Sequence, residues 1–126
     1  MEQFIYTCAD LEGTSAVQPC HAESGGVSGL LLHHRSGRRS CVGQVHLARL
    51  LAALEVDAAP GLSMRFSKSE EGYPYVESIA MVPEDGDGSD GSLIVQWSGL
   101  LEWWVSPWQC KIHYCGRTSP PTCRRP

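Results

Sequence analysis

The sequence predicts a single α+β domain: one central helix packed on a three- to five-stranded antiparallel sheet, with an N-terminal strand pair. Three observations carry that expectation. Residues 40–56 repeat leucine at helical spacing, residues 62–115 hold several short runs of β-forming residues separated by turn signals, and the first 39 residues hold two such runs around a Gly/Ser-rich stretch. With 126 residues the chain has the size of one domain. The domain is expected over residues 1–117, followed by a Pro/Arg-rich tail at 118–126.

The elements follow in order. Phe4-Ile5-Tyr6-Thr7-Cys8 and Leu30-Leu31-Leu32-His33-His34 form the strand pair, and the second run stops at the turn signal Ser36-Gly37. Between them Glu12 to Gly29, rich in Gly, Ser and Ala and holding Pro19, reads as a long loop. In the helix, Leu47, Leu50, Leu51 and Leu54 follow the i, i+3, i+4, i+7 pattern, which makes Leu50 and Leu54 core residues, and Ala48, Ala52 and Ala53 favour helix without adding bulk. Ser40 or Cys41 stands at its start and Ala59-Pro60-Gly61 ends it.

The meander begins with Leu62, Met64 and Phe66 alternating against Ser63, Arg65 and Ser67, the period of a half-buried strand. Glu70-Glu71-Gly72 is a tight turn, Tyr75–Val82 and Leu93–Trp97 are further strands, and Pro83–Gly91 joins them. Leu101–Val105 and Gln109–Tyr114 complete the sheet, broken at Pro107, a residue suited to an edge or a bulge.

Charge narrows the function classes. The net charge is −4 and the sequence pI about 5.7, which disfavours a general nucleic-acid binder. From Glu70 to Glu102 there are eight acidic residues and no Lys or Arg, interleaved with Tyr73, Tyr75 and Trp97 and followed at once by Trp103, Trp104 and Trp108. An acidic surface beside amphipathic rings suits a basic protein. Met1–Tyr6 lacks the basic start of a secretory signal, and no window approaches the length of a membrane span, so a cytoplasmic address is expected. In a reducing compartment the six cysteines are expected to be free thiols.

Candidate sites rank accordingly. Glu70, Glu71, Tyr73, Tyr75, Glu77, Glu102 and Trp104 are the expected partner-binding residues, with Tyr73 and Tyr75 on one face by parity and Trp103 and Trp104 on opposite faces. Arg35, Arg38 and Arg39 form the one basic cluster, a weak anion site at the expected helix start. Cys110, His113, Cys115 and Cys123 are the alternative zinc ligands, although no C-x-x-C pair exists and strand alternation would part Cys110 from His113. Cys41, at a helix start beside Arg38 and Arg39, is the alternative thiol nucleophile, activated by the helix dipole and the two cations. Asp85, Asp87 and Ser89 match the start of a calcium loop, but Asp90 and Gln96 stand where the pattern needs Gly and Glu. The sequence therefore reads as a non-enzymatic, cofactor-free binding module: an inhibitor or immunity-type antagonist that occludes a basic, nucleic-acid-handling protein, without itself contacting nucleic acid or membrane. The alternatives are a zinc module on the C-terminal Cys/His set and a thiol enzyme on Cys41.

Overall fold

The helical leucine spacing does not become a helix. The computed structural model describes residues 4–22, 25–56, 60–82, 93–106 and 109–115. Among them the one helical element is a 3-10 turn at Leu47–Arg49 with no buried residue. Leu47 is 79% exposed and Leu51 47%, while Leu50 and Leu54 are half-buried. The α+β expectation is overturned, because the structure is almost entirely β-sheet.

The cause lies at the start of the expected helix. Arg39–Gly43 is instead a strand, β4, paired antiparallel with β3 (Val27–His34) in the register Gly29↔Gly43, Leu30↔Val42, Leu31↔Cys41. Val42 is fully buried there. Gly43 has φ +74, and a Cβ on it would stand 2.5 Å from the Ser28 carbonyl oxygen and 2.8 Å from Gly29 Cα. At Gly29 a Cβ would meet the Val42 carbonyl oxygen at 2.5 Å. Only this glycine pair allows two backbones so close. With 39–43 and 54–55 both taken into sheet, residues 44–53 between them are fewer than the roughly 12–15 that an isolated helix needs to be even marginal in water. The segment runs beside β2 (Thr14–His21) instead: Leu50 bridges Cys20, and the Leu51 N–H donates to the Pro19 carbonyl at 2.8 Å.

β2 is a second correction, since residues 14–21 were expected in a loop. Pro19 is tolerated because its carbonyl faces the Leu51 side. In an antiparallel strand the N and O of one residue face the same way, so the missing donor falls outside the ladder to β3. The remaining strands are β1 (Ile5–Asp10), β5 (Leu54–Glu55), β6 (Gly61–Lys68), β7 (Pro74–Met81), β8 (Leu93–Gln96), β9 (Leu100–Val105) and β10 (Cys110–Cys115). The runs expected as strands after residue 61 therefore are strands. The Pro83–Gly91 connection with its Asp85, Asp87 and Asp90, Pro107, Trp108 and the 118–126 tail lie outside the described residues.

Two sheets result. The smaller has the order β1-β9-β10; the larger has the order β5-β2-β3-β7-β6-β8, with β4 also on β3. The expected N-terminal strand pair does not form, because β1 pairs with β9, from Ile5↔Val105 to Asp10↔Leu100. One core joins the sheets. Trp103, Leu101 and Ala9 from the small sheet pack with Leu30, Leu32, Val42, Leu62, Met64, Val76 and Val95 from the large one. Thr7 ties the layers: its Oγ1 donates to the Trp103 carbonyl at 3.1 Å and accepts the Gly43 N–H at 2.7 Å.

This burial pattern sets an expected contrast in urea unfolding. Leu32→Ala, at a fully buried site, should cost about 2–5 kcal/mol. Leu47→Ala should stay within about 0.5 kcal/mol of the parent. Equal losses for the two would show that the 44–53 segment is packed as a helix after all.

Candidate functional site

Described residues that follow β2, β6 and β9, together with the segment entering the 3-10 turn, line a cleft of about 720 Å³. Its apolar wall is Val27, Tyr75, Val105 and Cys110. Tyr75 is placed by Gly26, which has φ +82: a Cβ there would stand 2.8 Å from the Tyr75 ring and 2.6 Å from the Val76 carbonyl oxygen. The pairing Val27↔Val76 fixes the same corner. Burial pushes the Cys110 thiol pKa up, and a backbone hydrogen bond with Val76 only partly offsets it. Cys110 is thus a protonated packing residue at neutral pH.

The acidic turn forms one lip of this cleft through Ser69 and Glu70. It is tightly held: the Ser69 N–H donates to the Tyr73 carbonyl at 2.9 Å, the Gly72 N–H to the Ser69 carbonyl at 2.8 Å, and the Tyr73 N–H to Ser69 Oγ at 3.2 Å. Glu70, Glu71 and Tyr73 are exposed on it. Tyr75 is half-buried against the core, so the structure separates the two tyrosines into an outer and an inner position. Glu77 is exposed one step further, at the irregularity where β7 advances two residues, Ser78 to Val76, against one on β6. A bulge of this kind re-aims a side chain.

Glu102 and Trp104 lie elsewhere, on the outer face of the small sheet. Trp103 points into the core and Trp104 outward, as alternation requires, and the Trp104 ring lies 5.0 Å from that of Tyr6. Glu102 is only 6% exposed. Its Oε2 accepts the Tyr6 O–H at 2.6 Å, across 96 residues of sequence, and its Oε1 pairs with His113 Nδ1 at 2.9 Å. Burial raises the carboxyl pKa, but the hydrogen bonds from Tyr6 and His113 and the charge His113 can carry outweigh it, so the net shift is downward. Glu102 therefore fastens β1 to β9 and β10.

The other candidate sets are dispersed. Cys110 faces the core while His113 and Cys115 alternate with it on β10, and Cys123 lies outside the described residues. Among the described residues no three His, Cys, Asp or Glu side chains are placed to hold a metal ion. Cys41 is exposed on β4, not at a helix start, so the dipole argument for its thiolate lapses. The same holds for Arg35, Arg38 and Arg39, which are exposed at the β3–β4 turn with no helical amides behind them. Cys20, Cys41, Cys110 and Cys115 are free thiols, but Cys8 is disulfide-bonded, which corrects the expectation of free cysteines throughout.

Gln44, His46, Arg49, Lys68 and Gln109 line the cleft and were not candidates. They come from separate strands and connections, and no spacing along the chain brings them together. Comparison with protein-family models, curated proteins and solved structures finds no match. Among the described residues no helix is long and apolar enough to cross a membrane.

The Glu102 network has a pH signature. A carboxyl whose folded pKa is lowered contributes stability that is present above its ordinary value of 4.5 and lost as pH falls through the folded value. Glu102→Gln should cost about 1–3 kcal/mol at pH 7 and flatten that acid loss in urea titrations. An unchanged acid limb would show that Glu102 does not supply it.

Proposed function

We propose that this protein is a binding module that engages a basic protein surface through the acidic turn between β6 and β7. The observation that carries the reading is the geometry of that turn. Glu70, Glu71 and Tyr73 stand exposed on a backbone already fixed by three hydrogen bonds around Ser69. A preformed turn loses little entropy when a partner docks. Two carboxylates attract a basic partner at long range, and a neighbouring tyrosine supplies an anchor that can be desolvated on contact. Phe66 is also exposed, at 39%, on the strand that leads into the turn.

The concrete form of the proposal is an antagonist: a non-enzymatic inhibitor or immunity-type protein that occludes a basic, nucleic-acid-handling target. The acidic run and the net charge of −4 favour this class over direct nucleic-acid binding. Glu102 takes no part in it, because its carboxylate is committed to Tyr6 and His113. The zinc and thiol alternatives are favoured by no observed geometry. A cytoplasmic address goes with this reading, and the Cys8 disulfide weighs against it, since reducing compartments keep structural disulfides rare.

The test is association kinetics with the partner recovered from the native host. Replacing Glu70, Glu71 and Glu77 by Gln should slow association about tenfold at low salt. The difference should shrink as the Debye length falls from about 30 Å at 0.01 M to about 8 Å at 0.15 M. Tyr73→Ala should act mainly on dissociation. A salt-independent association rate that the triple substitution leaves unchanged would remove the proposal.

A further inference from the structure

We propose that the outer face of the small sheet is the docking surface for the chain's own C-terminal segment, residues 116–126, held across it by a disulfide between Cys8 and Cys123. The chain has six cysteines. Cys20, Cys41, Cys110 and Cys115 are free thiols, and Cys8 is disulfide-bonded. Within one chain its partner can then only be Cys123, which itself lies outside the described residues.

The strand positions fix where the bond lies. Cys8 on β1 pairs with Glu102 on β9, and residues directly paired across two strands share a face. Their neighbours Ala9, Leu101 and Trp103 point into the core, so Cys8, Leu100 and Glu102 point outward. β10 brings the C-terminal segment to the same face. Cys110 belongs to the core and Ile112 and Tyr114 pack against it, so Lys111, His113 and Cys115 alternate outward. Cys115 pairs with Leu100 and is the last residue of the strand. From there to Cys8 the path crosses β9, passing over Leu100 and Glu102. Two strand spacings and the step from Leu100 to Glu102 make it about 12 Å. The chain from 115 to 123 can span at most about 26–29 Å, so it reaches with slack.

The crossing point has the burial of a covered surface. Leu100 and Glu102 face outward on the middle strand, yet each is only 6% exposed, and Leu100 is no part of the core cluster. Forming the bond takes one proton and one electron from each thiol. A low-molecular-weight disulfide such as oxidised glutathione accepts both pairs and leaves as two thiols, and a dithiol reverses the exchange. The segment is therefore a redox-released strap, closed in an oxidising compartment and open in a reducing one. It uses none of Glu70, Glu71 and Tyr73 and stands apart from the protein-binding proposal.

The experiment maps the bond and then the cover, on the full chain. The oxidised protein is denatured and alkylated without reduction, and the labelled cysteines are read by peptide mass spectrometry. Cys20, Cys41, Cys110 and Cys115 should carry the label, Cys8 and Cys123 should not, and Cys123→Ser should make Cys8 reactive whether or not the variant folds. Methyl NMR with a soluble nitroxide then reads the face. In the oxidised protein the Leu100 methyls should be protected like those of fully buried Leu32. Reduction by dithiothreitol, or Cys123→Ser, should broaden them toward those of Leu47, which is 79% exposed, and leave Leu32 unchanged. A labelled Cys8 in the parent, a disulfide-linked dimer, a Cys8 that stays unlabelled in Cys123→Ser, or Leu100 methyls equally protected once the bond is open would each overturn the inference.

Discussion

The close approach of Gly29 and Gly43 governs how the rest of the chain is used. These residues are directly paired across β3 and β4, with neighbouring backbone atoms where a Cβ would stand. Their contact holds β4 on β3 and leaves the Gly43 N–H for Thr7, which in turn binds the Trp103 carbonyl. A Cβ at Gly43 would also stand 3.0 Å from the Trp103 ring, the largest fully buried side chain. One backbone contact thus couples both sheets to the centre of the core. It also withdraws residues 39–43 from any helix.

This explains which parts of the fold were legible in the sequence. The alternation of Leu62, Met64 and Phe66, the turn at Glu70–Gly72 and the opposite faces of Trp103 and Trp104 are local properties, and they carried through. The leucine spacing at 47–54 is local too, yet it failed. Helix propensity amounts to tenths of a kcal/mol per residue, less than the burial of Val42 and the sheet bonds of β4 supply. β2 was hidden for a related reason. Its Ser15 and Pro19 read as loop chemistry, but Ser15 Oγ donates to the His33 carbonyl at 3.1 Å and Pro19 faces away from the ladder to β3. The pairing of β1 with β9 depends on residues 96 apart meeting, which no local pattern encodes.

The functional surface was legible in part. The acidic turn was visible because its residues are contiguous. Glu102 was read with that group by charge, but its strand position gives it a structural role between Tyr6 and His113. The cleft was invisible because Arg49, Lys68 and Gln109 are distant in sequence.

The most direct test of this account is the stability of Gly43→Ala in urea, with Gly37→Ala as the control. Both glycines have positive φ, +74 and +91, but a Cβ at Gly37 meets nothing within 4 Å. The control should therefore lose only the cost of the left-handed backbone, about 1–2 kcal/mol. The account predicts that Gly43→Ala loses at least about 3 kcal/mol, because overpacking adds to that strain, together with the near-ultraviolet dichroism of buried tryptophan. Equal losses for the two substitutions, with the tryptophan signal kept, would contradict it.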